Sequence, residues 1–271
     1  MLPLSFYKVQ ATGNDFIVLD GRDLNGAHLS AKQIQFLCDR HFGIGSDGLI
    51  ILSLGQGGPY RFVYYNADGS RGAMCGNGGR AGVLMAQRFG YIPKSGDIRF
   101  LADDGWHLAQ KLSGNEVRVT LNITGVPVSI DSASLGLEID VRHIYKVNTG
   151  VPHLVLILAQ APADKDLLEL GPRLRYHPRF TPQGCNINFL WQENTSWSLR
   201  TYERGVEAET LSCGTGIAAC GLALGQIGLD LPAGVGFSAL GGKLGFKKEK
   251  DLYWLNGAVA IVCKGDVEIP L

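Results

Sequence analysis

The sequence repeats one local construction, and that repeat limits the possible folds more than any other feature. At Met74-Cys-Gly-Asn-Gly78, and again at Ser212-Cys-Gly-Thr-Gly216, a strand-like run turns into Cys-Gly-x-Gly and then into an apolar helix. A helix with no polar face has to be buried, and strands are what the flanking sequence offers to bury it. Two copies, about half a chain length apart in 271 residues, imply two lobes of similar build. We expect a mixed α/β (α+β) chain in which each lobe is a strand barrel wrapped around a central buried helix, with the working site in the cleft between them. The expected division is an N-terminal lobe of residues 1–122, joined again by a C-terminal strand at 262–271, and a C-terminal lobe of residues 123–261.

Other elements follow from periodicity. LSAKQIQFLCDRH reads as a helix that opens on a capping box of Ser30 and Gln33, carries Ile34, Leu37 and Cys38 on its apolar face, and ends at Gly43. GLIILSL, RFVYY, EVRVTLNI, HIYKV, HLVLILA, INFLW and SLRTY read as strands of a largely antiparallel system, closed by strands in DLYWLNGAVAIVCKGDVEI.

Composition removes several function classes. Lys plus Arg and Asp plus Glu are 25 each, so no basic surplus exists to hold a nucleic acid backbone. The N-terminal stretch lacks the pattern of a secretory leader, which points to the cytoplasm. Residues 211–229 carry no charge, but five glycines and three polar residues suit a soluble core helix better than a membrane span. Gly43-Ile-Gly-Ser-Asp-Gly48 matches GxGxxG yet leads from helix to strand, the reverse of a dinucleotide site. The stretch from Gly214 to Ala219 does open a helix, but no acidic residue follows about twenty positions on for a ribose. The cysteines at 38, 75, 185, 213, 220 and 263 form no CxxC pair and stand at no metal-ligand spacing from histidine. We therefore expect free thiols, no metal and no cofactor.

A lone buried cysteine is usually inert packing, and Cys38, Cys185, Cys220 and Cys263 are read that way. Cys75 and Cys213 differ because each immediately precedes a glycine-opened helix. There the unpaired backbone N–H groups and the positive end of the macrodipole lower a thiol pKa and attract an anion. A carboxylate held at these N-termini puts its α-carbon within reach of both sulfurs. One thiolate can then take the α-proton while the other thiol delivers a proton to the opposite face, and the helix N-termini stabilise the charge that develops. A thiol hydrolase using His153 would leave the second Cys-Gly-x-Gly unexplained.

The chain resembles the diaminopimelate epimerases, part of the wider group of cofactor-independent racemases that includes the proline racemases. The resemblance is carried by GNDF, HFGIGSDG, NADGS with MCGNG, the Pro-His of TGVPH, CNINF, and YERG followed by ETLSCGTG. It implies interconversion of L,L- and meso-diaminopimelate for lysine and peptidoglycan synthesis, without pyridoxal phosphate, by a homodimer. It implies Cys75 and Cys213 as the acid/base pair, with His153 and Glu203 supporting catalysis. Gly76, Asn77, Gly214 and Thr215 would hold the reacting carboxylate, and Asn14, Asn66, Asn186, Glu203 and Arg204 would line the rest of the pocket. Arg204 can fork onto a distal carboxylate and Glu203 can accept from an ammonium. Two departures stand out: Val151 replaces the asparagine usual before Pro-His, with Asn148 as the candidate substitute, and the stretch from Glu203 to Cys213 is one residue longer than the common form. The rival readings are a proline or hydroxyproline racemase, which has no distal carboxylate for Arg204, and a non-catalytic amino-acid-binding protein, which needs no thiols. Two thiols facing one carbon are also expected to join as an inactive disulfide on oxidation.

Overall fold

The computed structural model describes residues 2–55, 57–93 and 96–269. The chain divides into two compact units, Met1–Thr120 with Asn256–Leu271, and Leu121–Leu255.

The first unit holds β1 (Leu2–Ala11), β2 (Asn14–Asp20), α1 (Ala31–Cys38), β3 (Gly48–Leu54), β4 (Tyr60–Asn66), β5 (Arg71–Gly72), α2 (Gly76–Arg88), β6 (Ile98–Ala102), β7 (Gly105–Lys111) and β8 (Glu116–Leu121). It is completed by most of β17 (Leu252–Ile269), which pairs antiparallel with β1 and also pairs with β8. The pairings therefore run from β1 through β2, β3, β4, β6, β7 and β8 and return to β1 through β17, giving a barrel-like sheet. On β2, Phe16 and Val18 pack with Ala81, Val83 and Met85 of α2, while Ile17 and Leu19 pack with Ile34 and Leu37 of α1. Both faces of this strand are covered, which explains its unbroken apolar run Phe16–Leu19.

The second unit holds β9 (Val128–Ser129), β10 (Val141–Asn148), β11 (Pro152–Leu158), α3 (Asp164–Arg175), β12 (Asn186–Glu193), β13 (Ser196–Glu203), β14 (Ala208–Thr210), α4 (Gly214–Gln226), β15 (Val235–Ala239) and β16 (Gly242–Glu249). Leu167, Leu170 and Leu174 of α3 pack on Leu154, Leu156, Ile187 and Phe189. The helix α4 lies against β10, β11, β12 and β16 and is buried along Gly216–Leu224.

The expected largely antiparallel system is present among the described residues, and parallel pairs interrupt it at definite places. Among the described residues, β2 with β3, β4 with β6, β11 with β12, and β13 with β15 are parallel. A parallel pair needs a crossover long enough to return the chain to the same end of the sheet. Each of these pairs is bridged by a helix, α1 to α4 in turn, so the duplication is larger than the two cysteine turns: α3 is the counterpart of α1, and α4 of α2.

The first helix also ends earlier than its pattern suggests, at Cys38 rather than near Gly43. Its capping box is present, with Ser30 Oγ accepting from Gln33 N at 3.3 Å and Gln33 Oε1 accepting from Ser30 N at 2.9 Å. At the other end the Asp39 carboxylate accepts from the backbone N–H groups of His41 and Phe42 at 2.7 Å and turns the chain out of the helix. Closing strands in the C-terminal stretch are in fact one long strand, β17.

Both central helices are seated by a missing side chain. A Cβ on Gly82 of α2 would stand 2.9 Å from the Phe62 ring, and one on Gly221 of α4 would stand 2.1 Å from the Phe246 ring. Aromatic rings from the strands thus occupy notches in the helices, which fixes where each helix N-terminus comes to lie.

Candidate functional site

Cys75 is the N-cap of α2, with extended backbone at φ −119° and ψ 121°. Its sulfur accepts from the Gly78 N–H at 3.4 Å and faces Asn14 Oδ1 at 3.9 Å. A thiolate finds a donor in Gly78, and a thiol finds an acceptor in Asn14, so both protonation states have a partner. Asn14 is fixed in this orientation because its Nδ2 donates to Asp47 Oδ2 at 2.7 Å, while Asn77 Nδ2 donates to its Oδ1 at 3.2 Å. Asn77 is held in turn from below, where Arg80 Nη2 donates to its Oδ1 at 2.6 Å. The first unit therefore brings Cys75, Gly76, Asn77 and Asn14 together. Asn66 is held in a turn of its own at the end of β4, with its amide donating to Ser70 Oγ at 3.0 Å.

Cys213 caps α4 in the same backbone conformation, φ −125° and ψ 107°, but its side chain makes no capping hydrogen bond. Its sulfur lies 3.4 Å from Thr215 Oγ1, and the Thr215 carbonyl accepts from Thr149 Oγ1 at 2.9 Å. Gly214 is buried beside it.

Behind this turn lies a buried polar row. Asn186 and Asn188 alternate along β12, so both point to one face, and the parallel register sets His153 of β11 opposite Asn186. Asn188 Nδ2 donates to the Leu154 carbonyl and to His153 Nδ1, both at 3.1 Å, while its Oδ1 accepts from Thr201 Oγ1 at 3.1 Å. The carbonyl contact fixes the Asn188 amide orientation, so His153 Nδ1 accepts from it, while Asn186 Nδ2 lies 3.4 Å from Nε2 on the other side of the ring. Burial, with the Arg204 charge adding to it, pulls the His153 pKa down to about 3, and only the Asn188 bond opposes them. The imidazole is neutral at physiological pH.

Glu203 ends β13 and accepts from Thr210 Oγ1 at 2.9 Å. The Arg204 backbone N–H donates to Asn186 Oδ1 at 2.8 Å, so the asparagine row and the Glu-Arg pair share one scaffold. The stretch from Glu203 to Cys213 begins with the hairpin between β13 and β14. There Glu207 N donates to the Glu203 carbonyl at 2.8 Å and Glu207 takes a φ of 56°. Asn148, next to Val151, is exposed, and its Oδ1 accepts from Gly150 N at 3.1 Å. That oxygen is committed to its own turn.

A cavity of about 600 Å³ in the second unit is lined by Leu222, Gln226, Leu229, Lys248 and Tyr253. These residues lie toward the C-terminal end of α4, the opposite end from Cys213. Among the described residues no cluster of His, Cys, Asp and Glu is built to hold a metal. No helix among them is long and apolar enough to cross a membrane, and α4 covers only the centre of the uncharged stretch at 211–229.

Sequence reading missed three residues of these networks. Arg80 had a visible signal, being a cation inside the otherwise small and apolar run after Cys75. Asn188 had one too, since NIN puts two amides on one strand face. Thr149 had none, because its bond to Thr215 depends on tertiary structure alone.

The family model described as diaminopimelate epimerase matches residues 6–123 and 145–265. The diaminopimelate epimerase of Flavobacterium psychrophilum is 39% identical over 254 residues, covering 92% of this chain and 93% of that protein. Its counterpart from Hydrogenobaculum sp. is 36% identical, covering 95% and 96%, and that of Archaeoglobus fulgidus is 31% identical, covering 97% and 95%. Among solved structures, a phenazine biosynthesis PhzF-family protein of Enterococcus faecalis superposes with a TM-score of 0.74 at 13% identity, over 98% of this chain and 99% of that one. A hydroxyproline epimerase of Agrobacterium vitis gives 0.71 at 14% identity, over 98% and 92%. At such identities the likeness is one of fold.

Proposed function

The chain belongs to the diaminopimelate epimerase family, and from that membership we propose that it interconverts L,L- and meso-2,6-diaminopimelate by a two-thiol proton transfer at the α-carbon. The observation that carries the mechanism is the recurrence of one arrangement: in each unit a cysteine is the N-cap of a buried, glycine-opened helix. In the reaction the Cα–H bond breaks, its proton passes to one thiolate, and its electron pair stays on carbon, delocalised into the adjacent carboxylate. The opposite thiol then gives its proton to the other face and is left as the thiolate. No redox partner or leaving group is needed.

The carboxylate is assigned to the first turns of α2 and α4, through Gly76, Asn77, Gly214 and Thr215. Backbone N–H groups there meet the charge as it grows, which lowers the barrier more than it tightens ground-state binding. Asn14, Asn66, Asn186, Glu203 and Arg204 are assigned to the remainder of a diamino dicarboxylate. A cyclic monocarboxylate leaves Arg204 without a distal anion, and this disfavours proline or hydroxyproline as substrate. His153, neutral and buried, is assigned to orient Asn188 rather than to carry a proton. The product serves lysine and peptidoglycan synthesis in the cytoplasm.

A homodimer is also proposed. Ile261 and Val262 of β17 are 40% and 60% exposed, and adjacent exposed apolar side chains of this kind favour covering by a second copy. Sedimentation of Val262→Lys against the unaltered chain tests this, and equal masses would remove the assignment.

The decisive experiment for the activity is incubation with L,L-diaminopimelate in deuterated water. Deuterium at the α-carbon is expected with the reduced protein, and Cys75→Ala or Cys213→Ala should abolish net epimerisation. No incorporation by the unaltered protein would overturn the reading.

A further inference from the structure

Arg80 occupies a position that is unfavourable for a cation. Its side chain is fully buried and leans back over the first turn of α2, where the macrodipole repels a cation. Its hydrogen bonds go to neutral acceptors: Nη1 to the Ala258 carbonyl at 3.0 Å, and Nη2 to Thr12 Oγ1 at 2.8 Å and Asn77 Oδ1 at 2.6 Å. Its Nε has no partner among the described residues. A buried cation without a carboxylate is costly, and such local conflicts mark functional positions. Burial lowers its pKa to about 10, and the negative charges that resist this are Cys75 first and then Glu116.

We propose that Arg80 is a positioning residue of the Cys75 site, acting as the fixed countercharge of the Cys75 thiolate and holding the Asn77 amide in register with it. The row Arg80, Asn77, Asn14, Cys75 is continuous: the guanidinium fixes Asn77 Oδ1, Asn77 Nδ2 fixes Asn14 Oδ1, and that oxygen faces the sulfur. The other charges around the site pair among themselves. Asp47 binds Arg40, and Asp15 binds Arg40 and Lys8. Glu116 stands on β8. Among the described residues Arg80 is a cation with no carboxylate of its own, and so is available to answer a charge on the sulfur. When substrate binds, the same guanidinium lies beneath a carboxylate held at the start of α2. The inference rests on the two-thiol reading.

The test is the pH dependence of Cys75 alkylation in the ligand-free full chain, read by peptide mass, with Cys213 as the internal reference. In Arg80→Met the Cys75 midpoint should move up by about one pH unit or more, while the Cys213 midpoint stays. Arg80→Lys should restore most of the shift, and kcat of the Met variant should fall at least about tenfold with a smaller change in KM. Arg80→Gln carries the same measurement if the Met variant does not fold. A folded neutral variant whose Cys75 midpoint matches the unaltered protein overturns the proposal. Because alkylation is read without substrate, absence of deuterium exchange would sink the two-thiol reading and leave this outcome legible.

Discussion

The Oδ1 of Asn188 stands 2.5 Å from where a Cβ on Gly216 would be. The first turn of α4 thus rests on the amide that holds His153. A methyl group at 216 has to displace that amide or lift the helix start, and either change moves Cys213. We expect Gly216→Ala to cost about 1–3 kcal/mol by overpacking and to lower kcat/KM at least about tenfold, since small misplacements of reacting groups are expensive. Gly236→Ala, where no atom lies within 4 Å of the added carbon, is the control for denaturant melts and kinetics. Equal effects of the two substitutions would refute this contact's role.

Stability should fall with acid in a window set partly by His153. Its folded-state pKa of about 3 lies below the value of 6.5 that it regains on unfolding, so the unfolded chain binds the proton first. The contribution is fully present above pH 6.5 and is lost as pH falls toward 3, with a slope of up to about 1.4 kcal/mol per pH unit. His153→Gln should flatten urea midpoints between pH 6.5 and 4 relative to the unaltered chain. An unchanged slope would mean that His153 is protonated at its site. A neutral His153 also adds no acidic limb near pH 6.5 to the rate profile.

The six thiols should separate by reactivity. Burial pushes the Cys185 thiol up to about 12, raises Cys220 well above the ordinary thiol range, and raises Cys38. Iodoacetamide at pH 8 should spare these, modify the half-buried Cys75 and Cys263, which is exposed rather than packed as its sequence suggested, and reach the buried Cys213 more slowly through its place at a helix N-terminus. Under oxidant, the proposed two-thiol reaction requires Cys75 and Cys213 to lose reactivity together, with activity returning on reduction. Labelling of Cys220 before Cys75 in the folded protein would contradict this ordering.

Thr149→Val keeps the shape of a buried side chain but removes the donor to the Thr215 carbonyl. The expected cost is about 1–3 kcal/mol for an acceptor left without its partner. KM should rise more than kcat falls, because Thr215 belongs to the carboxylate turn and Cys213 keeps its own seat. A larger loss in kcat than in KM would place Thr149 with the proton-transfer groups instead.

Much of this was legible in the sequence because the repeat is local. Cys-Gly-x-Gly before an apolar run announces a helix start, and both predicted helix starts occur at the expected cysteines. The counterpart of α1 was harder to see. In α3 the apolar positions Leu167, Leu170 and Leu174 do have helical spacing, but Gly171 and Pro172 interrupt the pattern. Gly171 is required because a Cβ there would stand 2.6 Å from the Tyr202 ring, which only the packed structure reveals. Parallel pairing was also hidden, since alternation along a strand reports its faces and not the direction of its neighbour. At the site, the thiols and the Glu-Arg pair were legible through motif, whereas the partners of Asn77 and Thr215 depend on contacts distant in sequence.

The bond from Arg80 to the Ala258 carbonyl spans 178 residues. On a ribosome adding roughly 5–20 residues each second, the guanidinium waits roughly ten to forty seconds for that acceptor to be made. Throughout that interval the nascent first unit contains a cation whose final seat does not yet exist, while residues 121–255 are made in one uninterrupted stretch. Order of synthesis therefore runs opposite to order of completion, and the thiol translated first is the one whose surroundings are finished last.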